Sequence, residues 1–320
     1  MKKLVTILAC LMLSVFFTAS INAAGNLPSG VLESEVITTG SVFYVCSANG
    51  SDNYSGTSKN YPVATIDKAI NLCTANKSDV IYVMANHAET LTTAGAITCD
   101  IEGISIIGLG NGDNRGTVTL NGILADASDV GIDIKVTADN VTIKNLRFIS
   151  EVDALTDMIE CDTTAYTFID NCYFEMSDAD SQAECAIDIT GSCTFAKITN
   201  CEFYAYDAGG QQAIHIGTGG AVPDRLRIID NVIHGNFSTA CIYSTVAATY
   251  ISINRNVLHN VNSGSHCIEL TGAATGVISY NVGYTDMTQA TGIDEGVCTL
   301  IENYTTDDTT VSGILTPLET

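Results

Sequence analysis

The chain is expected to be all-β, a single-stranded right-handed parallel β-helix, that is, a solenoid of about nine coils with an N-terminal capping helix. Three observations predict it. A short segment recurs at intervals of about 25 to 30 residues, as GIDI ending at Ile134, MIEC at Cys161, AIDI at Ile189, AIHI at Ile216, CIYS at Ser244 and CIEL at Leu270. An asparagine follows each segment at the same period, at Asn145, Asn171, Asn200, Asn231, Asn256 and Asn281. The apolar residues alternate by two in short runs of isoleucine, valine, threonine and tyrosine, which is strand chemistry and argues against a helical repeat. One coil cannot bury its apolar face alone, so coils must stack at about 4.8 Å around a shared interior.

The elements follow in order. Residues 1–24 read as a bacterial-type signal peptide: Lys2 and Lys3, an apolar run from Leu4 to Phe17, then Ala23 and Ala24. Acylation at Cys10 is the alternative, against which the apolar run continues past that residue. Residues 25–78 hold an entry strand and the cap, where Ile66, Ala69, Ile70 and Cys73 keep helical spacing behind a Thr65 N-cap. The cap shields a first coil that would otherwise expose a sheet edge. Residues 79–304 are the coils and 305–320 a C-terminal tail.

Composition narrows the function. No later stretch approaches the roughly 20 apolar residues of a membrane helix, so no membrane span is expected. The formal charge of −23 becomes −25 once the leader removes two of the 13 basic residues and none of the 36 acids. Such a chain repels nucleic acid and anionic lipid. Eleven of the 12 cysteines lie beyond the leader, in an oxidising compartment outside the cell or on its surface. No CxxC spacing suggests zinc.

Period-2 alternation assigns columns. Ile132, Ile159, Ile187, Ile214, Ile242 and Ile268 point inward, and Asp133, Glu160, Asp188, His215, Tyr243 and Glu269 point outward. Two residues on, Lys135, Asp162, Thr190, Gly217, Thr245 and Thr271 form a second outward row. Three residues after each asparagine stand Phe148, Phe174, Phe203, His234, His259 and Tyr284, which places His234 and His259 in the core or turn. Asp188 and His215, about 5 Å apart on adjacent coils, are the candidate catalytic pair, a carboxylate orienting an imidazole, with Tyr243 as an acid. Asp133, Lys135, Glu160, Glu269 and Arg225 are candidate ligand-binding residues. The competing reading is an outward polar ladder that only keeps the sheet wet.

Calcium is the one cofactor considered. Acidic loops bring Asp157, Glu160, Asp162 and Asp180 onto neighbouring coils as candidate ligands, against the alternative of a solvated acidic edge. The longer coil GTGGAVPDRLR carries Asp224, Arg225 and Arg227, the densest basic spot, either a ligand contact or a surface loop. Cys172 with Cys201, Cys241 with Cys267 (both read as outward) and Cys46 with Cys73 are disulfide candidates; stacked reduced thiols are the alternative. With no tryptophan, Tyr204, Tyr206, Tyr243 and Tyr250 are the available sugar-stacking rings. His87 shows no partner in the sequence.

The asparagine-turn motif in TIKNLRF, FIDNCYF and KITNCEF resembles the right-handed β-helix repeat of the pectin-lyase-like superfamily. The opening FYVCSANGSDNYSGTSKNYPVATIDKAINLCTANKSDVIYV resembles the entry segment of such proteins, and ISIIGLGNG is similar to uncharacterised β-helix proteins of tailed phages and environmental bacteria. The likeness spans about residues 42–303 and is specific for fold and unspecific for activity, because this architecture carries lyases, hydrolases, adhesins and phage spikes. It implies carbohydrate chemistry on an outer strand face, and partners among polysaccharides, cell-surface glycans or further copies of the chain. Short inter-coil loops and only one basic residue on the grid, Lys135, favour a secreted structural, adhesive or glycan-interacting scaffold over a polysaccharide lyase or glycoside hydrolase.

Overall fold

The computed structural model describes residues 38–91, 96–120, 134–151, 155–176, 183–206, 210–217, 222–285 and 292–306. The expected leader, Asp133 and Asp180 lie outside them. The chain is a right-handed parallel β-solenoid of three sheets, here A, B and C, with ten, nine and eight strands. Each coil visits A, then B, then C, as in Thr142–Lys144, Arg147–Ser150 and Asp157–Asp162.

The interior is built from stacked columns. Ile134, Ile159, Ile187, Ile214, Ile242, Ile268 and Ile293 pair in register on sheet C. Ile106, Ile143, Ile169, Ile198, Ile228, Ile253 and Ile278 do so on sheet A. On sheet B, Phe148, Phe174 and Phe203 stack with ring centroids 5.1 and 4.8 Å apart. Parallel strands in register place like side chains one coil apart, so a continuous core runs through the coils, with turn residues such as Leu146, Leu155 and Phe237 filling in between the strands.

The first inward column is offset from the expected one. Ile134, not Ile132, pairs with Ile159, so Lys135, not Asp133, stands beside Glu160. Cys241 and Cys267 are fully buried, not outward. Both they and the isoleucines that follow belong to the core, because the chain bends from sheet B into sheet C there and two consecutive side chains point inward.

The asparagine ladder is two ladders. Asn145, Asn171 and Asn200 occupy the A-to-B turn itself, with φ of 56°, 53° and 54°. This is the left-handed region that asparagine tolerates best among non-glycine residues. From the next coil on, that turn position is taken by Asp230, Arg255, Tyr280 and Glu302, and the asparagine moves one residue later and inside. Asn256 then accepts both the backbone N–H and the Nδ2 of Asn231 at 3.0 Å and donates to the Ile228 carbonyl at 2.9 Å. Asn281 and Asn303 repeat the pattern. Cys172 and Cys201 continue this inner column upward, where the Cys201 N–H donates to Asn231 Oδ1 at 2.9 Å.

The offset also moves His234 and His259 out of the core. They pair with Tyr204 and Tyr284 on the outer face of sheet B, with the two histidine Nδ1 atoms 2.8 Å apart. The eleven cysteines among the described residues are free, including Cys172, Cys201, Cys241, Cys267, Cys46 and Cys73. Nearly all of them fill buried columns as small hydrophobes, and burial pushes the Cys99 thiol up to about 12.

The cap helix α1 spans Ile66–Ile70, shorter than the sequence spacing suggested because Asn71 ends it. Thr65 Oγ1 accepts the Lys68 N–H at 3.3 Å, and Ile66, Ala69 and Ile70 are buried against Val42–Val45, Val80–Val83 and Ile97–Cys99. His87 is partnered after all: its Nδ1 accepts the Ser47 N–H at 3.0 Å and its Nε2 meets Glu89 at 3.2 Å. Glu89 in turn accepts the Ile66 N–H at 2.9 Å, tying the helix start to the first coil.

Candidate functional site

Period 2 and the parallel register of sheet C build one outward column: Thr98, Lys135, Glu160, Asp188, His215, Tyr243, Glu269 and Asp294. The predicted catalytic trio does come together here. His215 Nδ1 lies 3.3 Å from Asp188 Oδ1, and the imidazole stacks on the Tyr243 ring with centroids 5.5 Å apart. Glu269 is held by His266, whose Nδ1 is 3.2 Å from Oε2.

At the N-terminal end Lys135 reaches Glu160 at 3.3 Å and Asp162 at 3.0 Å, and Thr190 donates to Glu160 Oε1 at 3.0 Å. The hydrogen bond to Lys135 lowers the Asp162 carboxyl below its ordinary range, and the same contact raises the Lys135 ammonium. Of the expected calcium ligands, Glu160 and Asp162 converge on the Lys135 ammonium, one positive charge between two carboxylates, and no group of three or more histidine, cysteine or acidic side chains fit for a metal ion exists among the described residues, which do not include Asp180. Asp157 is 4 % exposed, and burial together with Asp188, Glu160 and Glu184 pushes its carboxyl up to about 8.

The column faces outward, yet two of its acids are tucked in: Asp188 is 3 % and Glu160 8 % exposed, whereas Asp294 at its C-terminal end is exposed. Chemically it offers a carboxylate beside an imidazole and a tyrosine on neighbouring coils, with the buried Asp157 carboxyl close by. Sequence reasoning missed that Asp157 is a buried carboxyl held above its ordinary range, because no local motif encodes burial by distant coils.

Arg225 sits elsewhere. It occupies the turn from sheet C into sheet A, at φ 54°, between the Phe195 and Tyr250 rings. It does not join the sheet C column. Arg255, which lines a groove with it, escaped the sequence reading because it precedes a ladder asparagine and looks like any turn residue. A smaller cleft of about 220 Å³ lies on sheet B, lined by Arg115, Arg147, Tyr173, Glu202 and Gly112. No helix among the described residues is long and apolar enough to cross a membrane.

No protein-family model and no curated protein matches the chain. Solved structures do. A rhamnogalacturonan lyase is similar over 77 % of this chain and 69 % of its own, at 13 % identity and a TM-score of 0.50. The deglycosylated pectin methylesterase of Aspergillus niger is similar over 91 % and 93 %, at 15 % identity and a TM-score of 0.51. Pectate lyase Pel9A is similar over 88 % and 80 %, at 14 % identity and a TM-score of 0.52. At such identities the shared property is the fold, and the structural neighbours of this chain are pectin-lyase-like right-handed parallel β-helix proteins.

Proposed function

We propose that the protein is a secreted or cell-surface β-helix scaffold, structural or adhesive, that engages polysaccharide or cell-surface glycan. The observation that carries this reading is the state of the middle of the sheet C face, where Lys135 bridges Glu160 and Asp162, His215 and His266 stand 3.3 and 3.2 Å from Asp188 and Glu269, and Asp188 and Glu160 are nearly closed to solvent. A depolymerising site needs a walled cleft with reactive groups open to a sugar chain. Neighbours named for rhamnogalacturonan, pectin and pectate supply the glycan half of the proposal. The test is a polysaccharide panel assayed for retention of the protein and for reducing ends and unsaturated products. Retention without turnover is expected.

One observation favours a second reading, a lyase or hydrolase. Asp188 and His215 stand 3.3 Å apart, a carboxylate beside an imidazole, and burial pushes the nearby Asp157 carboxyl up to about 8, which gathers in one neighbourhood the group types that general base and general acid chemistry use. Turnover that disappears in His215→Ala would select this reading over the scaffold.

A further inference from the structure

Sheet A presents a second face of different chemistry. After each sheet C strand the chain turns through one residue in the left-handed region, and Ala165, Thr194, Asp224 and Thr249 bridge in register just before it. The turn residues Tyr166, Phe195, Arg225 and Tyr250 therefore stack one per coil. The Tyr166 and Phe195 rings lie 4.9 Å apart and nearly parallel, and the Arg225 guanidinium is held 5.2 Å from Phe195 and 5.3 Å from Tyr250. Sandwiching by two rings fixes the plane of a side chain that would otherwise sample many rotamers.

Two positions further along, Arg227 and Ser252 pair in the first outward column of sheet A, because Ile228 and Ile253 point inward. Arg227 is exposed and makes no ion pair among the described residues. At the far edge Arg255 is gripped by Asp230 through Nε at 2.7 Å and Nη2 at 2.6 Å, while its Nη1 donates to Asn254 at 2.8 Å. Together these residues line an open groove of about 490 Å³.

Three of the chain's 13 basic residues thus meet in one groove, against the carboxylates of Asp224 and Asp230, in a molecule of net charge −23. Each guanidinium has five N–H donors, and one carboxylate leaves several of them open. Beyond about 8 Å at physiological salt the remaining negative charge is screened, so the local arginines decide what binds. We propose that this groove binds an oxyanion-bearing saccharide chain: Arg227 and Arg255 take the oxyanions, the Tyr250 ring packs on a sugar face, and Ser252 and Asn254 meet hydroxyls. Carboxylate, sulfate ester and phosphodiester present the same oxyanion to a guanidinium. The proposal rests on the glycan-binding reading above and adds the site and the charge of the ligand. It uses none of the sheet C column.

The experiment is affinity electrophoresis and calorimetry of the full chain with dextran, carboxymethyl dextran, dextran sulfate and a polysaccharide bearing phosphodiesters. The wild type is expected to bind one or more of the charged polymers and not dextran, with affinity falling as salt rises. Arg227→Gln combined with Arg255→Gln should weaken that binding at least tenfold, and Tyr250→Ala should weaken it several-fold. Lys59→Gln combined with Lys77→Gln, an equal charge change near the N-terminal cap, should leave it unchanged, and circular dichroism should show all variants folded. Charged-polymer binding that survives the double substitution overturns the groove and leaves the glycan reading standing. Binding of dextran as tight as of its charged forms overturns the oxyanion preference. Failure of every polymer, together with the neutral and acidic glycans of the wider panel, sinks both readings.

Discussion

Sheets C and A are faces of the same coils, drawn from one acidic chain, yet they handle charge in opposite ways. On sheet C, Asp188 is 3 % exposed and Glu160 8 % exposed, and both have basic neighbours within 3.3 Å. On sheet A, the paired side chains of Arg255 and Asp230 are 56 % and 40 % exposed. A buried charge must be compensated where it stands, because leaving it alone costs several kcal/mol. An exposed pair is worth little, so either member can be given up to a ligand. The difference between the faces is therefore one of burial more than of residue type. On the proposed reading, the buried pairs of sheet C serve self-cohesion and the exposed groups of sheet A serve recognition.

The largest way to break this comparison is at Asp157. An unfolded aspartate loses its proton near pH 4, whereas the folded chain keeps this one to about 8. Between those values the folded state holds the extra proton, so stability falls as pH rises, by about 5 kcal/mol over the window from this group alone. Asp157→Asn should remove that slope, giving a higher Tm than wild type at pH 8.5 and a similar one at pH 3.5. Urea melts across this range would show it, and an unchanged slope would mean that the acid is not buried as described.

Next in size is Lys135→Met. It leaves Glu160, 8 % exposed, without its cation and should cost about 2 to 3 kcal/mol at pH 7. Lys135→Arg, which keeps the charge, should recover much of that loss in urea melts at the same pH. A loss that arginine does not recover would point to packing of the lysine stem instead.

How much of this was legible in the sequence follows from the physics of each feature. Six repeats with isoleucine at period 2 specified the coils, the sheet C column and the Asp188–His215 neighbourhood, because parallel register carries one residue's position to the next coil. The inner and outer asparagines look identical in a sequence. Only the backbone shows that Asn200 makes the turn at φ 54° while Asn231 sits beyond it. That offset of one residue carried His234 and His259 from the expected interior to the surface. Residues such as Arg255 and Asp157 owe their roles to neighbours about one coil away, which no local spacing encodes.

Smaller effects sharpen the contrast. His215→Ala removes the contact to Asp188 and the stack on Tyr243, and should cost about 1 kcal/mol. The smallest belongs to sheet A. Arg255→Gln breaks a pair of close, charge-assisted hydrogen bonds to Asp230, which on sheet C would be a serious lesion. Both side chains are largely in water, and the solvent replaces what the partner gave. Differential scanning calorimetry at 20 and 500 mM salt should find the variant's Tm equal to wild type in each condition, with the wild type itself insensitive to salt at this pair. A clear drop in Tm would mean that the Arg255–Asp230 clasp holds the rod together, and the division of labour between the two faces would fall with it.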